Sequence, residues 1–353
     1  MLEQDSTAGN GEELLALLRT KGLSIKELDA AKKEELRSLL DYLHNTKGLS
    51  LNDIAKLIGN KTSGYTSWLC RQLGVSRRPF EEARLKGIRE KRRKYERKPF
   101  DGTDEDRAYL LGLRHGDLSV SSPWNGVVRV STSTTHPAMA ELFHTLFEPY
   151  GHVYQDPRYK KDTKSYEWNL STIVDSSFNF LFAEFAEVKE WLSSRPSILL
   201  AYLSGFLDAE GSIITTRDNR GLVTVFVDYY NSDKVLLDWV KQSIENLGYS
   251  CSLRINKKEG VRTKKYGIIH RKDYWQLSTY GMKSVQEFAR RLMPRHREKV
   301  ERHKIALAVT KGELYLKYEE RIQNLRSAIK AEVAQFVRKA EDEFLERHPG
   351  FTP

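Results

Sequence analysis

The sequence predicts an α+β protein in which a small all-helical domain precedes two similar lobes and a long helix follows them. Three observations predict this class: helical periodicity up to about residue 73, alternating strand and helix patterns after residue 99, and an internal repeat in that second region. We therefore divide the chain into a helical domain at 1–83, a basic linker at 84–103, repeats at 104–195 and 196–310, and a helix at 311–353.

Composition excludes several classes of protein. The 353 residues are 39% hydrophobic and 30% charged, which is enough apolar material for packed cores. The two cysteines, Cys70 and Cys251, are too few for a disulfide framework or a zinc cluster. No apolar run approaches the roughly 20 residues of a membrane span, and the acidic first residues argue against a secretory signal or transit peptide. We expect a reducing compartment, the cytoplasm of a prokaryotic or archaeal cell.

The helical domain ends in a pattern that resembles a helix-turn-helix. Residues 51–58 form an amphipathic pattern with Ile54, Ala55 and Ile58 on one face, Gly59 marks a turn, and a second helix runs to about residue 73. In such a motif the second helix enters the major groove, and basic residues that follow it contact phosphates. The candidate contacts are Tyr65, Thr66, Ser67, Arg71, Arg77 and Arg78. Plain packing of two helices explains the same pattern equally well.

The positive charge is concentrated in one segment. The chain has a net charge of +10, and residues 84–98 contain nine basic and two acidic residues, with Arg92 and Arg93 near the centre. A basic stretch beside nearly neutral domains is typical of an arm that binds a polyanion such as nucleic acid. The alternative is a solvated linker.

Beyond Pro99, strand patterns alternate with helix patterns. The predicted strands are 127–135, 165–172, 222–230, 251–257 and 266–279, and the predicted helices are 137–149, 177–192, 234–247 and 282–292. Apolar residues then recur every three or four positions over 312–344, which predicts one long amphipathic helix that docks on its own protein.

This α/β region contains an internal repeat. Residues 109–117 (YLLGLRHGD) match 202–210 (YLSGFLDAE), and 168–172 (WNLST) match 275–279 (WQLST). The second copy is longer by about 14 residues, which we place in the loop around 257–265. Two copies in the same order predict two lobes related by a pseudo-twofold axis.

The matched helices carry a pattern that suggests metal-dependent chemistry. Gly112 and Gly116 lie four residues apart, as do Gly205 and Ala209, so each helix presents small residues on one face and two such faces permit close packing. Each helix ends on an acid, Asp117 or Glu210, although acids are unfavourable at a helix C-terminus. Two converging carboxylates are costly unless a divalent cation such as Mg²⁺ neutralises them. The alternative is a pair of helices with terminal acids of no special role.

Residues 110–118 (LLGLRHGDL) and 203–211 (LSGFLDAEG) resemble the two motifs of the LAGLIDADG homing endonucleases, and the resemblance covers about residues 104–310. It implies a single-chain, monomeric enzyme whose two αββαββα repeats form a saddle over a long double-stranded DNA site and cut both strands. It also implies that Asp117 and Glu210 are catalytic and that, with Gly116 and Ala209, they form a site for Mg²⁺ or Mn²⁺.

The first motif departs from the family pattern at two positions. His115 stands where the second motif has Asp208, and we expect it to be a polar residue of the helix interface instead of a metal ligand. Leu118 stands where the second motif has Gly211, which could shift the backbone that presents Asp117 and so affect activity.

Strand alternation separates a polar face of each sheet from an apolar one. On the polar faces, Arg and Gln would be the best base readers. The candidate DNA contacts are Arg129, Ser131, Ser133 and Asn169 in the first repeat and Arg254, Asn256, Lys272 and Gln276 in the second. The resemblance also implies a basic residue near each scissile phosphate, for which Arg195, Arg295 and Lys299 are candidates.

The endonuclease hypothesis has two alternatives. One is a non-cleaving nucleic-acid-binding protein with the same fold, such as an intron-RNA splicing helper or a DNA-binding regulator. The other is an interaction protein built on the C-terminal helix. The presence of both acids favours the endonuclease.

Overall fold

The computed structural model describes residues 28–59, 63–76, 95–123, 126–262 and 269–351. The chain forms two compact units, Met1–Lys94 and Tyr95–Pro353. Arg77, Arg78, Arg92 and Arg93 fall outside the described residues, so their predicted contacts with nucleic acid stay predictions.

The first unit is helical where the structure describes it. Its helices are α1 (Ala30–Asp41), followed by a π-helical turn (Tyr42–Thr46), α2 (Leu51–Leu57) and α3 (Ser63–Gln72). Ser50 begins α2 with a capping box that includes Asp53, and Gly59 ends it with φ of 77°. Ile54, Ala55 and Ile58 are buried as predicted, and the two isoleucines pack with leucines of α1 and α3 in one small core.

The second unit contains the same sequence of elements twice. The first repeat comprises α4 (Asp104–Arg114), β1 (Ser119–Ser121), β2 (Val127–Thr134), α5 (Pro137–Phe147), β3 (Val153–Lys160), β4 (Ser165–Asp175), a 3₁₀ helix (Ser176–Phe182) and α6 (Phe185–Leu192). The second comprises α7 (Pro196–Glu210), β5 (Gly211–Arg217), β6 (Val223–Asn231), α8 (Lys234–Asn246), β7 (Cys251–Lys257), β8 (Tyr274–Thr279), α9 (Met282–Arg291) and α10 (Arg297–Ala308).

The two sheets have equivalent topology. Their strand orders are β1-β2-β4-β3 and β5-β6-β8-β7, and every pairing is antiparallel. The connection between β7 and β8 is longer than that between β3 and β4, which is where the repeat comparison placed the extra residues of the second copy. The α+β class with two equivalent repeats is therefore confirmed.

Among the residues that the structure describes, sequence patterns missed three strands and one helix. The strands β1, β3 and β5 were not predicted, because β1 has only three residues and β3 contains Pro157 among polar residues. Proline is tolerated there because β3 is an edge strand of its sheet. The single helix predicted over 177–192 is in fact a 3₁₀ helix and α6, and α10 follows α9 without having been predicted.

The long C-terminal helix α11 (Leu316–Arg347) packs against the cores of both repeats. Ile322 belongs to the core of the second repeat, whereas Ala340 belongs to that of the first. Trp168 of β4 donates its indole N–H to the main-chain oxygen of Phe336 at 3.0 Å. The predicted docking of this helix on its own protein is thus present. Among the described residues, no helix combines the length and apolarity needed to cross a membrane.

Residues 95–103, which we predicted to be the end of the basic linker, pack on the first repeat. The ring of Tyr95 stacks on His152 with centroids 3.8 Å apart, and the main-chain N–H of Phe100 donates to Ser177 at 2.8 Å. The folded second unit therefore begins earlier than the predicted boundary at residue 104.

Candidate active site

Helices α4 and α7 meet through their small residues, as their spacing predicted. A methyl group on Gly205 would lie 2.0 Å from the main-chain oxygen of Tyr109, and one on Gly112 would lie 2.2 Å from that of Tyr202. One on Gly116 would lie 2.3 Å from the Cβ atom of Ala209. Real Cβ atoms do not approach so closely, so only glycine permits this backbone contact.

Two polar pairs cross this helix interface in a pseudo-symmetric way. The Tyr109 hydroxyl donates to Asp208 at 2.5 Å, and the Tyr202 hydroxyl lies 2.9 Å from Nδ1 of His115. Burial lowers the pKa of His115, so its ring is neutral near pH 7. Its Nε2 atom faces the main-chain oxygen of Ala183 at 3.2 Å and carries the proton, which leaves Nδ1 to accept from Tyr202. His115 therefore occupies the helix interface, as expected.

The two acids are presented differently at the ends of these helices. Glu210 is the last residue of α7, and a methyl group on the following Gly211 would lie 2.8 Å from Cα of Leu207. The first motif has Leu118 at the equivalent position, and its side chain is buried in the core. There α4 ends at Arg114, and Asp117 lies in a turn in which its N–H donates to the main-chain oxygen of Leu113 at 2.9 Å. The backbone that presents Asp117 therefore differs from the one that presents Glu210.

Glu210 is half-buried, whereas Asp117 keeps an exposed surface although protein atoms surround much of it, and the two acids interact electrostatically. Burial raises the pKa of Glu210 to about 7, and the negative charge of Asp117 adds to the increase. The Tyr274 hydroxyl, which donates to Glu210 at 3.3 Å, and the charge of Lys299 oppose it. Burial also raises the pKa of Asp117. These raised pKa values mean that the ionised form of each carboxylate is disfavoured, and a positive charge shared between the two would stabilise it.

The ends of the two helices fit a hard divalent cation. A methyl group on Gly116 would lie 2.9 Å from Cγ of Glu210, so the ends of the two motifs are in contact. Carboxylate oxygens are the ligands that Mg²⁺ prefers, and Mg²⁺ keeps several waters beside one or two carboxylates. Within the described residues there is no group of three or more His, Cys, Asp or Glu side chains that could hold a metal. Any ion here would therefore rely on Asp117, Glu210, main-chain oxygens and water.

Lys299 is the basic residue that the structure brings to this site. Its ammonium group donates to the main-chain oxygens of Leu207 and Asp208 at 2.6 and 2.5 Å, which caps the C-terminal end of α7. Burial lowers its pKa, while the charges of Asp208, Asp117 and Glu210 oppose that decrease. Lys299 therefore lies among the acids that were predicted to bind metal.

The prediction that Arg195 and Arg295 lie near the paired acids is wrong. Their guanidinium groups form ion pairs with Asp104 at 2.6 Å and with Asp106 at 2.7 Å, both in the first turn of α4. That turn lies at the opposite end of the helix from Asp117, about 15 Å away along the axis. Both arginines thus neutralise acidic side chains in the first turn of α4. Their positions in loops did not predict these ion pairs.

An open cavity of about 230 Å³ lies between the repeats beside Asp117. Its lining includes Lys299 and the pair His136 and Glu298, whose Nδ1 and Oε2 atoms are 3.6 Å apart. The neighbouring imidazole of His136 and the guanidinium of Arg302 hold the pKa of Glu298 at about 2, although burial opposes this. No periodic pattern in the sequence placed His136 and Glu298 together, because His136 immediately precedes α5 and Glu298 lies in the unpredicted α10.

The shifted pKa of Glu210 predicts how stability of the metal-free protein depends on pH. A carboxyl whose pKa is about 7 in the folded state and near 4.5 when unfolded destabilises the fold when it is ionised; this cost is full above pH 7, declines as pH falls below 7 and is gone below 4.5. We expect Glu210→Gln to raise the thermal midpoint by about 2 °C or more at pH 8 and to change it little at pH 5. Scanning calorimetry in EDTA measures both values, and an equal effect at the two pH values would contradict the assignment.

The polar faces of the sheets carry most of the predicted nucleic-acid contacts. Arg129 and Ser133 are exposed and Ser131 is half-buried on β2, while Asn169 of β4 accepts a hydrogen bond from Ser133 at 3.3 Å. On β7, Arg254 and Asn256 are exposed. These residues thus lie on the faces that strand alternation predicted.

Two positions on the second sheet differ from the prediction. Lys272 lies in a bend before β8, which begins at Tyr274, so it does not share the polar face of that strand. Gln276 lies on β8 but is only 9% exposed, because polar neighbours surround its amide. The unpredicted strand β3 places two further polar-face residues, Tyr154 and Arg158, opposite Ser171 and Glu167.

Helix α3 of the first unit exposes a different set of residues from the one predicted. The prediction that Thr66 contacts DNA is wrong, because its side chain is fully buried. Tyr65 and Ser67 are half-buried and Arg71 is exposed, as a contact surface requires. Trp68 was missed: it is 43% exposed and stacks on Tyr65 with ring centroids 5.7 Å apart. Tyr65, Trp68 and Arg71 are spaced three residues apart on the helix, so they share one face, and this face is turned outward.

Residues 197–293 match the family model described as the LAGLIDADG-like domain, so the second repeat is a LAGLIDADG domain. The family resemblance that the two motifs indicated is therefore supported by this match to the second repeat. No curated protein sequence matches it.

Several solved structures are similar to the chain. I-DmoI in complex with DNA and Mn is 19% identical and covers 54% of this chain and 96% of its own, with a TM-score of 0.34. I-WcaI bound to its DNA recognition sequence is 11% identical and covers 56% of this chain and 86% of its own, with a TM-score of 0.38. The N-terminal LAGLIDADG domain of DUF199/WhiA is 13% identical and covers 70% of this chain and 98% of its own, with a TM-score of 0.35.

Proposed function

We propose that the chain is a site-specific endonuclease that hydrolyses one phosphodiester bond in each strand of a long duplex DNA site. The observation that carries this proposal is the pair of acids with raised pKa values, Asp117 and Glu210, at the adjoining ends of the two motifs. Pairing two such acids lowers stability unless it serves to bind a cation. The net charge of +10 favours a polyanionic substrate.

In this proposal each side chain of the site has a distinct task. Asp117 and Glu210 hold Mg²⁺ or Mn²⁺, and Tyr274 orients the Glu210 carboxylate through its hydroxyl. A divalent cation held there would activate water and stabilise the charge that develops on the phosphate. Lys299 fixes the end of α7 and adds positive charge beside the acids. The glycine contact between the helices sets the spacing of the two carboxylates.

Binding to DNA would rest on the polar sheet faces. Arginine, asparagine and serine side chains on β2, β4 and β7 are spaced along strands, which suits phosphate and base contacts in successive positions of a groove. The equivalent topology of the sheets suggests that a single chain covers two half-sites. The protein would then act as a monomer on double-stranded DNA.

The proposed function is tested by incubating the full chain with a randomised duplex library and Mg²⁺ and sequencing the cut ends. We expect one enriched site with staggered ends on both strands, and no cut ends when EDTA replaces Mg²⁺. Recovery of uncut but enriched duplexes would instead support the second candidate function.

That second candidate is a nucleic-acid-binding protein that no longer cuts. The observation that favours it is the presentation of Asp117 from a turn after Arg114, whereas Glu210 is still helical. If the turn displaces the first carboxylate from the shared cation, the sheets would still bind DNA without cleavage. The sequenced library distinguishes the two functions directly.

We also propose that the first unit and the basic segment extend the DNA interface on one side. The exposed Trp68 and Arg71 on α3 and the charge of residues 84–98 support this.

A protein that starts at residue 95 should bind the same site more weakly. The slope of log K against log salt concentration should become less steep by about 0.9 for each phosphate that the shortened protein no longer neutralises. Its footprint should shrink on one flank only. DNase protection and titrations at several salt concentrations measure both, and an unchanged footprint would contradict this role.

A further inference from the structure

A hydrogen-bonded chain of side chains crosses the polar face of the second sheet. Arg254 of β7 lies directly opposite Gln276 of β8, and its Nη2 atom donates to Oε1 of Gln276 at 3.3 Å. Nε2 of Gln276 donates in turn to Oδ2 of Asp228 at 2.8 Å, and the Tyr230 hydroxyl donates to the same oxygen at 3.0 Å. The chain therefore links three neighbouring strands.

Asp228 fixes the orientation of the glutamine amide. Its carboxylate accepts and cannot donate, so the NH₂ group of Gln276 must face it and the carbonyl oxygen must face Arg254. Nε2 also donates to the hydroxyl of Ser278 at 3.1 Å, which leaves neither amide hydrogen for another partner. The amide hydrogens of Gln276 are thus both used in bonds within the protein. Asp228 is only 3% exposed and accepts hydrogen bonds from Gln276 and Tyr230.

Arg254 is the exposed end of this chain. Gln276 uses one of the five N–H donors of Arg254, and no other described residue accepts from it, so within the described part of the chain its guanidinium keeps an edge with two parallel donors free while its position is held. That edge matches the O6 and N7 acceptors of guanine in the major groove, the pairing that gives the strongest discrimination between bases. An arginine ordered before binding also loses less conformational entropy when it binds.

We infer that Arg254 is the specificity-determining residue of the second half-site, where it reads a guanine, and that Gln276 and Asp228 hold it in place instead of contacting bases. This inference rests on the proposed function, because it requires DNA on the polar face of the sheet. It reverses the sequence-based prediction for Gln276.

The first repeat has a different set of residues at the equivalent positions. Asp156 lies opposite Asn169 as Arg254 lies opposite Gln276, and its carboxylate pairs with Arg347 of α11 at 3.0 Å. A carboxylate paired with an arginine offers no N–H donor to the O6 and N7 acceptors of guanine. The guanine should therefore be required in one half-site alone, and the target should not be palindromic at this position.

The test is a binding selection from a randomised duplex library, carried out in EDTA with the full chain and followed by sequencing. Wild-type protein should enrich guanine at one position of one half-site by about 5- to 150-fold over the other bases. Arg254→Ala should abolish that preference and leave the remaining positions enriched. Gln276→Ala should weaken the same preference without creating another.

Arg129→Ala is the matched control, because Arg129 is an exposed arginine on the polar face of the first sheet. It should leave the guanine preference at the Arg254 position intact. If Arg254→Ala keeps the wild-type preference, the inference is wrong while the proposed function stands. If Gln276→Ala removes a preference for a different base pair, Gln276 is itself a reader and the inference is also wrong. A wild-type library without any enriched site would overturn both the inference and the proposed function.

Discussion

Replacing Asp117 by Asn or Glu210 by Gln should reduce DNA cleavage by about 1,000-fold or more and leave duplex affinity within a few-fold of that of the wild type. Each replacement keeps the shape of the side chain and removes the charge that would hold a divalent cation. Loss of one group that stabilises developing charge already costs about 100- to 1,000-fold, and loss of the cation removes the activated water as well. Affinity should persist because the polar sheet faces are unchanged.

Cleavage is measured with a duplex that carries the site recovered from the library, and affinity by a gel-shift titration in Ca²⁺ or EDTA. Asp238→Asn is the control: Asp238 is a half-buried acid of α8 that pairs with Lys234 at 2.6 Å and belongs to neither motif. It should cut at the wild-type rate. Cleavage by both motif variants at the wild-type rate would exclude the two acids as the catalytic centre.

The features that the sequence predicted correctly depend on local periodicity. The pairing of Gly112 with Gly205 followed from small residues at i and i+4 in two matched helices, and a helix face is determined by its own sequence. The exposed faces of β2 and β7 followed in the same way from strand alternation. Such features need no knowledge of the tertiary fold.

The features that it missed depend on contacts between distant segments. Lys299 reaches the end of α7 from α10, which is more than 80 residues further along the chain. Arg195 and Arg295 have the same residue type and similar loop positions, but acids of α4 bind both. Gln276 shows the same limit, because its burial depends on Asp228 of a neighbouring strand. No local pattern distinguishes these cases, since the deciding partner is remote in sequence.

The second large effect concerns the helix interface that sets the distance between the acids. We expect Gly205→Ala to destabilise the second unit by about 3 kcal/mol or more, because the added methyl group would lie 2.0 Å from the main-chain oxygen of Tyr109. Backbone atoms cannot move aside as a flexible side chain does, so α4 and α7 must separate. Urea unfolding followed by tryptophan fluorescence measures the loss.

Gly221→Ala separates this steric effect from the general cost of replacing glycine. Gly221 has φ of 81° and no atom within 4 Å of an added methyl group, so its replacement should cost about 1 kcal/mol through backbone strain alone. Separation of the helices at Gly205 should also move Glu210 away from Asp117, and the pKa of Glu210 should fall from about 7 because the opposing charge is further away. A Gly205→Ala protein as stable as the Gly221→Ala protein would show that the helices are not held in backbone contact, and the proposed spacing of the two acids would then lose its structural basis.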